Sequence, residues 1–196
     1  AQDTALHAGA IIRLYHDGSI PLDNPKLDGW AAEILSKGHR NPQGLAIHPG
    51  TGILWSHEHG PRGGDEINII TAGRNYGWPT VSHGKEYIGG TIGIGTSAPG
   101  LTDPAWVWTP SIAPSGMAFY QGAMFPRFDG HLLVGSLKFE RLYLVRVAND
   151  LPQEEFIILE NTIGRVRDVA VAPDGAILLL SDESDGGLYR LSEAGQ

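Results

Sequence analysis

Cysteine is absent from the 196 residues. Its absence excludes disulfide bonds and thiolate metal ligands, and it is compatible with either the cytoplasm or the periplasm. The sequence also has no apolar run near the roughly 20 residues that a membrane-spanning helix needs. No basic segment followed by an apolar one opens the chain, so no secretory signal is visible, although one could have been removed or lie upstream.

Positive charge is scarce, with 14 Lys and Arg residues against 22 Asp and Glu residues and a net charge of −8. This balance argues against nucleic acid as the main partner, because binding to a phosphate backbone needs a basic surface. Any local cluster of cations is therefore more informative here than in a basic protein.

Helical periodicity is almost absent, and only residues 28–38 could form a helical turn or two. The 27 glycines and 13 prolines punctuate the chain with frequent turns. Between them, short apolar runs are typical of β-strands. The sequence therefore predicts an all-β fold in a single domain spanning 1–196.

An internal repeat is visible. Residues 44–58 and 168–183 each contain Ala-Ile or Ala-Val, a Pro/Gly turn and then Ile-Leu, which predicts strand, turn and strand. A looser copy spans 116–138. Residues 9–21 and 186–195 resemble strands of further units.

Recurrence of four-stranded units at a spacing of about 40 to 60 residues indicates a β-propeller, and about four such units fit in the chain. An ordinary β-sandwich is the alternative, because hairpins of Gly-rich proteins resemble one another. The shared Ala-Ile/Val-x-Pro core favours the propeller.

Four cationic side chains occupy comparable places in the repeats. Arg40 precedes the first repeat, Lys138 follows a strand of the looser copy, and Arg165 and Arg167 precede the last repeat. Equivalent positions of successive blades meet at one end of a propeller channel, and residues two apart on a strand share a face. Together they would form a pocket for a polyanion, since Arg suits bidentate binding of carboxylates. The alternative is that each is an ordinary solvated surface residue.

The stretch HEHGPRGGDEIN (57–68) offers oxygen ligands on a flexible turn. The carbonyls of Gly60 and Pro61 are predicted to be outside any regular strand ladder, and Ca²⁺ binds carbonyl and carboxylate oxygens. Further oxygens follow at Glu66, in NYGWP (75–79) and at Glu86. No EF-hand pattern is present, so composition alone supports calcium weakly.

Other chemistries are disfavoured. His57 and His59 would share a face of a strand, but no third or fourth zinc ligand stands at usable spacing, and a polar pocket lining is the favoured interpretation. The sequence contains no nucleophile elbow, P-loop or dinucleotide-binding fingerprint. The Gly-rich segment 89–100 is predicted to be a connecting loop.

Taken together, the motifs resemble a known family. RNPQG, EHGPRGGDEIN, NYGWP, SGMAFY, a Leu-Lys pair after a strand and RVRDV occur in this order at compatible spacing. Over nearly its whole length the chain resembles the soluble aldose sugar dehydrogenases that use pyrroloquinoline quinone (PQQ), the glucose/sorbosone dehydrogenase family. The resemblance implies a six-bladed β-propeller in the bacterial periplasm that oxidises aldoses at C1 to lactones and passes electrons to an external acceptor.

The resemblance also assigns roles to individual residues. The residues implied to contact PQQ are Arg40, Asn41, Gln43, Tyr87, Ser111 at the start of the 111–115 turn, Lys138, Arg165 and Arg167. Gly60 and Pro61 would give main-chain oxygens to the calcium that sits on PQQ. Glu66, the Tyr76 main chain and Glu86 would hold a second, structural calcium. Bound calcium acts as a Lewis acid, and Lys138 or an Arg can share developing negative charge.

One departure from the family pattern concerns catalysis. The general base of the family is a histidine in an HFGG-like or HNGG-like segment, and none of the eight histidines here matches it. The base is expected upstream of residue 1, together with N-terminal blades that would be a partner of this chain. We therefore expect residues 1–196 alone not to turn over sugar. A non-catalytic propeller binding module and a calcium-dependent lactonase-type hydrolase are the alternatives, and the sequence does not identify the aldose, the acceptor or the oligomeric state.

Overall fold

The computed structural model describes residues 1–193 and is all-β with almost no helix. Its helical structure within these residues is a short 3-10 turn at Pro126–Phe128. The strands are β1 (Ala10–Ile12), β2 (Ile34–Lys37), β3 (Pro42–Ile47), β4 (Leu54–Glu58), β5 (Asp65–Ile69), β6 (Trp106–Trp108), β7 (Pro114–Phe119), β8 (Leu132–Ser136), β9 (Arg141–Ala148), β10 (Leu151–Glu160), β11 (Val166–Val171), β12 (Ile177–Ser181) and β13 (Leu188–Leu191). The predicted all-β class is confirmed.

The strands form four sheets, and within residues 1–193 none of them closes on itself. The sheet orders are β1-β2, β3-β4-β5-β6, β7-β8-β9-β10 and β11-β12-β13. In the last two sheets each strand runs antiparallel to its neighbour, so the chain passes up and down in sequence order. Apart from residues 120–131 between β7 and β8, the connections within these two sheets are short, which suits neighbouring antiparallel strands.

The repeated segments form the predicted hairpins. Strands β3-β4, β7-β8 and β11-β12 coincide with 44–58, 116–138 and 168–183, and the first strand of each pair begins two residues before its segment. Two of the turns close alike, with His48 N–H donating to the Ile53 carbonyl at 2.8 Å and Ala172 N–H donating to the Ala176 carbonyl at 2.8 Å. The segment 186–195 contains β13, and its residues 194 and 195 lie outside the described part.

The prediction of helical turns at 28–38 is wrong. Residues 34–37 form β2, which pairs with β1, and residues 28–33 are turns. Ile34 and Ser36 are fully buried while Leu35 and Lys37 are partly exposed, which is the two-residue alternation of a strand. Pairing with β1 overrides the helical propensity of the residues between Gly29 and Gly38.

The chain divides into two compact units. The first comprises 1–42 and 56–111, and the second comprises 43–55 and the chain from 112 onward. Two of the boundaries fall inside strands, after Pro42 in β3 and after Trp55 in β4.

The core of the second unit is apolar and comes from β7, β8, β9, β11 and β12. Its buried residues are Tyr120, Leu133, Leu142, Leu144, Val166, Val169, Ile177 and Leu179. A hydrogen bond from Ser115 Oγ to the Val166 carbonyl at 2.6 Å ties β7 to β11. Burial of these side chains stabilises the unit by roughly 1.5–3 kcal/mol each. Because Val166 and Val169 of β11 belong to this core, the core also fixes the strand that carries Arg167 and follows Arg165.

The first unit buries a smaller set of apolar side chains around its loops. Ile34, Ile67 and Trp108 are buried, and Tyr76 is 5% exposed. The Tyr76 hydroxyl donates to the Ile69 carbonyl at 2.6 Å and accepts the Thr71 N–H at 2.9 Å. This anchors the NYGWP segment beside β5.

No helix in residues 1–193 has the length and apolar character to cross a lipid bilayer.

Candidate functional site

A small cavity of about 20 Å³, partly open to solvent, lies within the first unit. Five residues singled out from the sequence line it, namely Arg40, His59, Gly60, Glu66 and Tyr76. The other lining residues are Gly38, Glu58, Gly64, Trp78, Val81 and Ser82. Residues from four separate stretches of sequence therefore meet here, around carboxylates, one guanidinium and main-chain oxygens.

The guanidinium of Arg40 is held on two sides. Its Nη1 donates to the His59 carbonyl at 2.9 Å, and its Cζ lies 5.2 Å from the ring centroid of Trp78. Its Nε is buried and has no hydrogen-bond partner. Because an unpaired buried donor is costly, this atom fits a site that receives an anionic ligand.

Two carboxylates that line the cavity, those of Glu58 and Glu66, lie close enough to repel each other. Burial raises the pKa of the Glu66 carboxyl to about 8, and the nearby carboxylate of Glu58 adds to the rise. A side-chain hydrogen bond from Asn68 opposes it. The Asn68 Oδ1 is itself buried without a partner. A cation would relieve the repulsion between the two carboxylates, so the donor set fits a hard metal ion.

The loop that presents Gly60 is braced by a buried carboxylate. Asp65 Oδ1 accepts the Gly60 N–H at 2.8 Å and the Ser111 hydroxyl at 2.9 Å. The Ser111 Oγ in turn accepts the Gly63 N–H at 3.0 Å. These bonds close a tight loop from 60 to 65 and leave it with a fixed shape.

Glycine is required at Gly60 and Gly64 by close approach. A Cβ on Gly60 would lie 2.2 Å from the Gly63 carbonyl oxygen. Gly64 has a φ of +72°, and a Cβ there would lie 2.4 Å from the Gly84 amide nitrogen. The sequence suggested that these glycines make the turn flexible. In the structure they instead allow one main-chain segment to pack closely against another.

Other predicted residues of the first unit lie away from the cavity lining. The side chains of Glu86 and Tyr87 are exposed, Tyr87 by 69%. Asn41 is exposed too, while its N–H donates to Glu58 Oε2 at 3.2 Å. Pro61 packs its ring near Gly84. The cavity therefore gathers only part of the predicted set.

In the second unit, Arg165 and Arg167 lie side by side, as their two-residue spacing predicts. Their Nη2 atoms contact the same Oδ2 of Asp182 at 2.9 and 2.6 Å. The hydrogen bond from Arg167 and the charge of both arginines lower the pKa of Asp182. Each guanidinium still has unused donors, because only one of five N–H groups in each is needed for this contact.

Lys138 and Gln43 are the remaining predicted residues of the second unit. Lys138 is exposed, with its Nζ 5.0 Å from the ring centroid of Phe139, and its N–H donates to the Ile112 carbonyl at 3.2 Å. Gln43 is exposed at the start of β3. That Lys138, Arg165 and Arg167 meet Arg40 at one rim stays a prediction.

Three acidic residues that accept hydrogen bonds from predicted site residues were not themselves predicted, namely Glu58, Asp65 and Asp182. Each is an acceptor for a residue already singled out, between 5 and 18 positions away. A usable signal for two of them was present, since Glu58 and Asp65 sit at strand ends inside the 57–68 stretch. Nothing local points to Asp182.

Side chains alone do not build a metal site here. Among residues 1–193, no group of three or more His, Asp and Glu side chains is arranged to hold a metal ion. A cation at the cavity would therefore need main-chain or amide oxygens as well, which is the coordination that Ca²⁺ accepts.

Comparison with known proteins gives a family match over almost the whole chain. The family model described as Glucose / Sorbosone dehydrogenase matches residues 1–190. Aldose sugar dehydrogenase YliI of Escherichia coli is 44% identical over 196 residues, covering 98% of this chain and 53% of that protein. Quinoprotein glucose dehydrogenase B of Acinetobacter calcoaceticus is 27% identical, covering 96% of this chain and 51% of that protein.

A solved structure agrees with the sequence matches. The PQQ-bound form of an aldose sugar dehydrogenase from Streptomyces coelicolor superposes with a TM-score of 0.77 at 28% identity, covering 97% of this chain and 54% of that one. The chain thus spans about half the length of the curated relatives it matches.

Proposed function

Because the chain belongs to the glucose/sorbosone dehydrogenase family, we propose that it forms part of a PQQ-dependent oxidoreductase. Its substrates would be aldose sugars, oxidised at C1 to lactones, with electrons passed to an external acceptor. The observation that carries the proposal is the half-buried Arg40 side chain, whose buried Nε has no hydrogen-bond partner, beside an oxygen-rich cavity. That isolated residues 1–196 do not turn over sugar stays a prediction.

The proposed architecture is a six-bladed β-propeller, of which this chain would contribute about four blades as one partial domain. The antiparallel sheets of neighbouring strands support it, as does similarity to the Streptomyces coelicolor structure. A periplasmic or secreted location and interaction with further N-terminal blades belong to the same proposal.

PQQ is a planar tricarboxylate, and bound PQQ supplies an o-quinone that accepts hydride. The role of this chain is to bind and orient it. Arg40, Lys138, Arg165 and Arg167 offer guanidinium and ammonium donors for the carboxylates, and Arg is suited to bidentate contacts. We propose Asn41, Gln43, Tyr87 and Ser111 as further contacts.

Calcium is the metal that the donor set of the first unit would hold. We propose main-chain oxygens of Gly60 and Pro61 for one ion, and Glu66, the Tyr76 main chain and Glu86 for a second. The support is the half-buried carboxyl of Glu66, whose pKa is raised by burial and by the nearby carboxylate of Glu58. Glu86 is exposed and would have to turn inward to take part.

Calcium binding is expected to release close to one proton per site at pH 7, because Glu66 with a pKa of about 8 holds its proton until the cation arrives. Affinity for Ca²⁺ should rise with pH up to about 8 and then level off, since above the pKa no proton has to leave. Titration calorimetry in two buffers of different ionisation enthalpy measures the proton count.

Glu66→Gln should abolish both the proton release and most of the calcium affinity. Glu33→Gln is the control, because Glu33 is a carboxylate of the same unit whose pKa is lowered by its hydrogen bond to His7. Proton release that persists in Glu66→Gln would contradict the assignment.

Binding of PQQ is the direct test of the proposed function. A spectroscopic titration of residues 1–196 should show saturable binding that Ca²⁺ strengthens. A chain that shows no saturable binding with calcium present would contradict the proposal.

Arg165→Ala should weaken PQQ binding by about tenfold, because it removes a half-exposed cation that would bind a carboxylate of the ligand. Arg190→Ala is a matched control. Arg190 lies in the same sheet, pairs with Asp174, and has a side chain 46% exposed against 47% for Arg165. Equal losses in the two variants would mean that only overall charge matters.

A further inference from the structure

The carboxylate of Glu58 lies in a buried network that reaches the predicted cofactor contacts. The residue is 3% exposed, at the end of β4. Its Oε2 accepts the N–H of Arg40 at 2.5 Å and the N–H of Asn41 at 3.2 Å. Two consecutive amides bound to one charged oxygen fix the main chain just before β3 begins.

The other oxygen of Glu58 is fixed as well. Its Oε1 accepts from Asn68 Nδ2 at 2.9 Å and lies 3.3 Å from His39 Nδ1. His39 is fully buried, stacks on Tyr76, and has its Nε2 2.8 Å from the Ser36 hydroxyl oxygen. With both oxygens engaged, the carboxylate cannot rotate away without leaving buried polar groups unpaired.

The residue after Glu58 holds the other end of Arg40. The His59 carbonyl accepts from Arg40 Nη1 at 2.9 Å, while Glu58 binds the Arg40 amide. Consecutive residues therefore fix both the main chain and the guanidinium of Arg40. The side chain is left with its Nε unpaired in the cavity region and the Trp78 ring against its guanidinium.

We propose that Glu58 is a positioning residue for the cofactor, acting through the Arg40 and Asn41 main chain. The inference rests on the proposed function, since it assigns Glu58 the task of presenting two proposed PQQ contacts. Glu58 is not itself a contact, because both of its oxygens are already bound within the protein. A carboxylate beside an anionic ligand would otherwise be unfavourable, and here its charge is directed at main-chain N–H groups.

Glu58→Gln tests this assignment with little change in shape. An amide cannot accept on both sides, so either the 40–41 amides or the Asn68 side of the network loses its acceptor. The PQQ dissociation constant should rise about tenfold in the presence of calcium. The backbone amide proton of Arg40 should also move upfield in the NMR spectrum, because it loses a short bond to a charged acceptor.

Ser36→Ala is the matched control. It removes a buried partner of His39 in the same network but leaves both amide bonds of Glu58 in place. It should lower thermal stability while PQQ affinity stays within about threefold. An equal loss of affinity in the two variants would reduce the role of Glu58 to general stability and overturn the proposal.

The remaining outcomes separate the two hypotheses. Wild-type protein that does not bind PQQ overturns the proposed function and this inference with it. Unchanged affinity in folded Glu58→Gln overturns the inference alone. If Glu58→Gln does not fold, the wild-type amide signals of Arg40 and Asn41 decide, because they must shift on PQQ binding and unshifted signals overturn the inference.

Discussion

Gly64→Ala is expected to lower the free energy of unfolding by about 2–5 kcal/mol, the sum of a left-handed backbone cost and of overpacking. The φ of Gly64 is +72°, and the added Cβ would lie 2.4 Å from the Gly84 amide nitrogen and 2.6 Å from the His83 carbonyl carbon. Both neighbours are main chain and cannot rotate aside. Urea unfolding followed by tryptophan fluorescence measures the loss.

Gly29→Ala isolates the backbone cost. Gly29 belongs to the same unit and has a φ of +75°, but a Cβ there meets nothing within 4 Å. Its loss should be only about 1–2 kcal/mol. Similar losses at both positions would show that close approach to Gly84 is unimportant. Calcium affinity should fall in Gly64→Ala alone, since the 60–65 loop would have to shift.

Arg40→Ala is expected to weaken PQQ binding by about 2–5 kcal/mol, or more than about 30-fold. The guanidinium is the one predicted cation that lines the first-unit cavity, and its removal takes away a partly buried donor that nothing else replaces. Absorbance titration with PQQ in the presence of calcium measures the change. Calcium affinity should not fall, because the lost charge is positive.

Arg74→Ala is the control for net charge. Arg74 lies in the same unit and is exposed, away from the cavity lining. Its loss should change PQQ affinity by less than about threefold, as expected for a screened surface charge. Arg40→Lys should give an intermediate result, because a point charge cannot reproduce the planar guanidinium on Trp78.

The strands were predictable where their signals are local. The repeats place apolar residues at two-residue spacing around a Pro/Gly turn, and β3-β4 and β11-β12 follow that pattern. Residues 28–38 show no such alternation around a Pro/Gly turn, and pairing with β1 makes 34–37 a strand. Local sequence cannot contain that information, because β1 lies more than 20 residues earlier.

The candidate site divides in the same way. Arg40, Gly60, Glu66 and Tyr76 were recognisable from motifs, and the cavity joins all four. The partners of the supporting carboxylates could not be predicted, because Glu58 bonds residues 17 and 18 positions earlier and, in the second unit, Asp182 binds Arg167 from 15 positions later. A carboxylate that braces a distant amide looks like any other surface acid until the fold brings the partners together.

The shared oxygen of Asp182 couples the two arginines of the second unit mechanically. Losing either guanidinium frees the carboxylate to tilt toward the survivor and neutralise it more fully, so one deletion weakens both charges. Each single substitution would then remove much of the binding free energy that the two arginines contribute together. Removing both would cost less binding free energy than the sum of the two single losses.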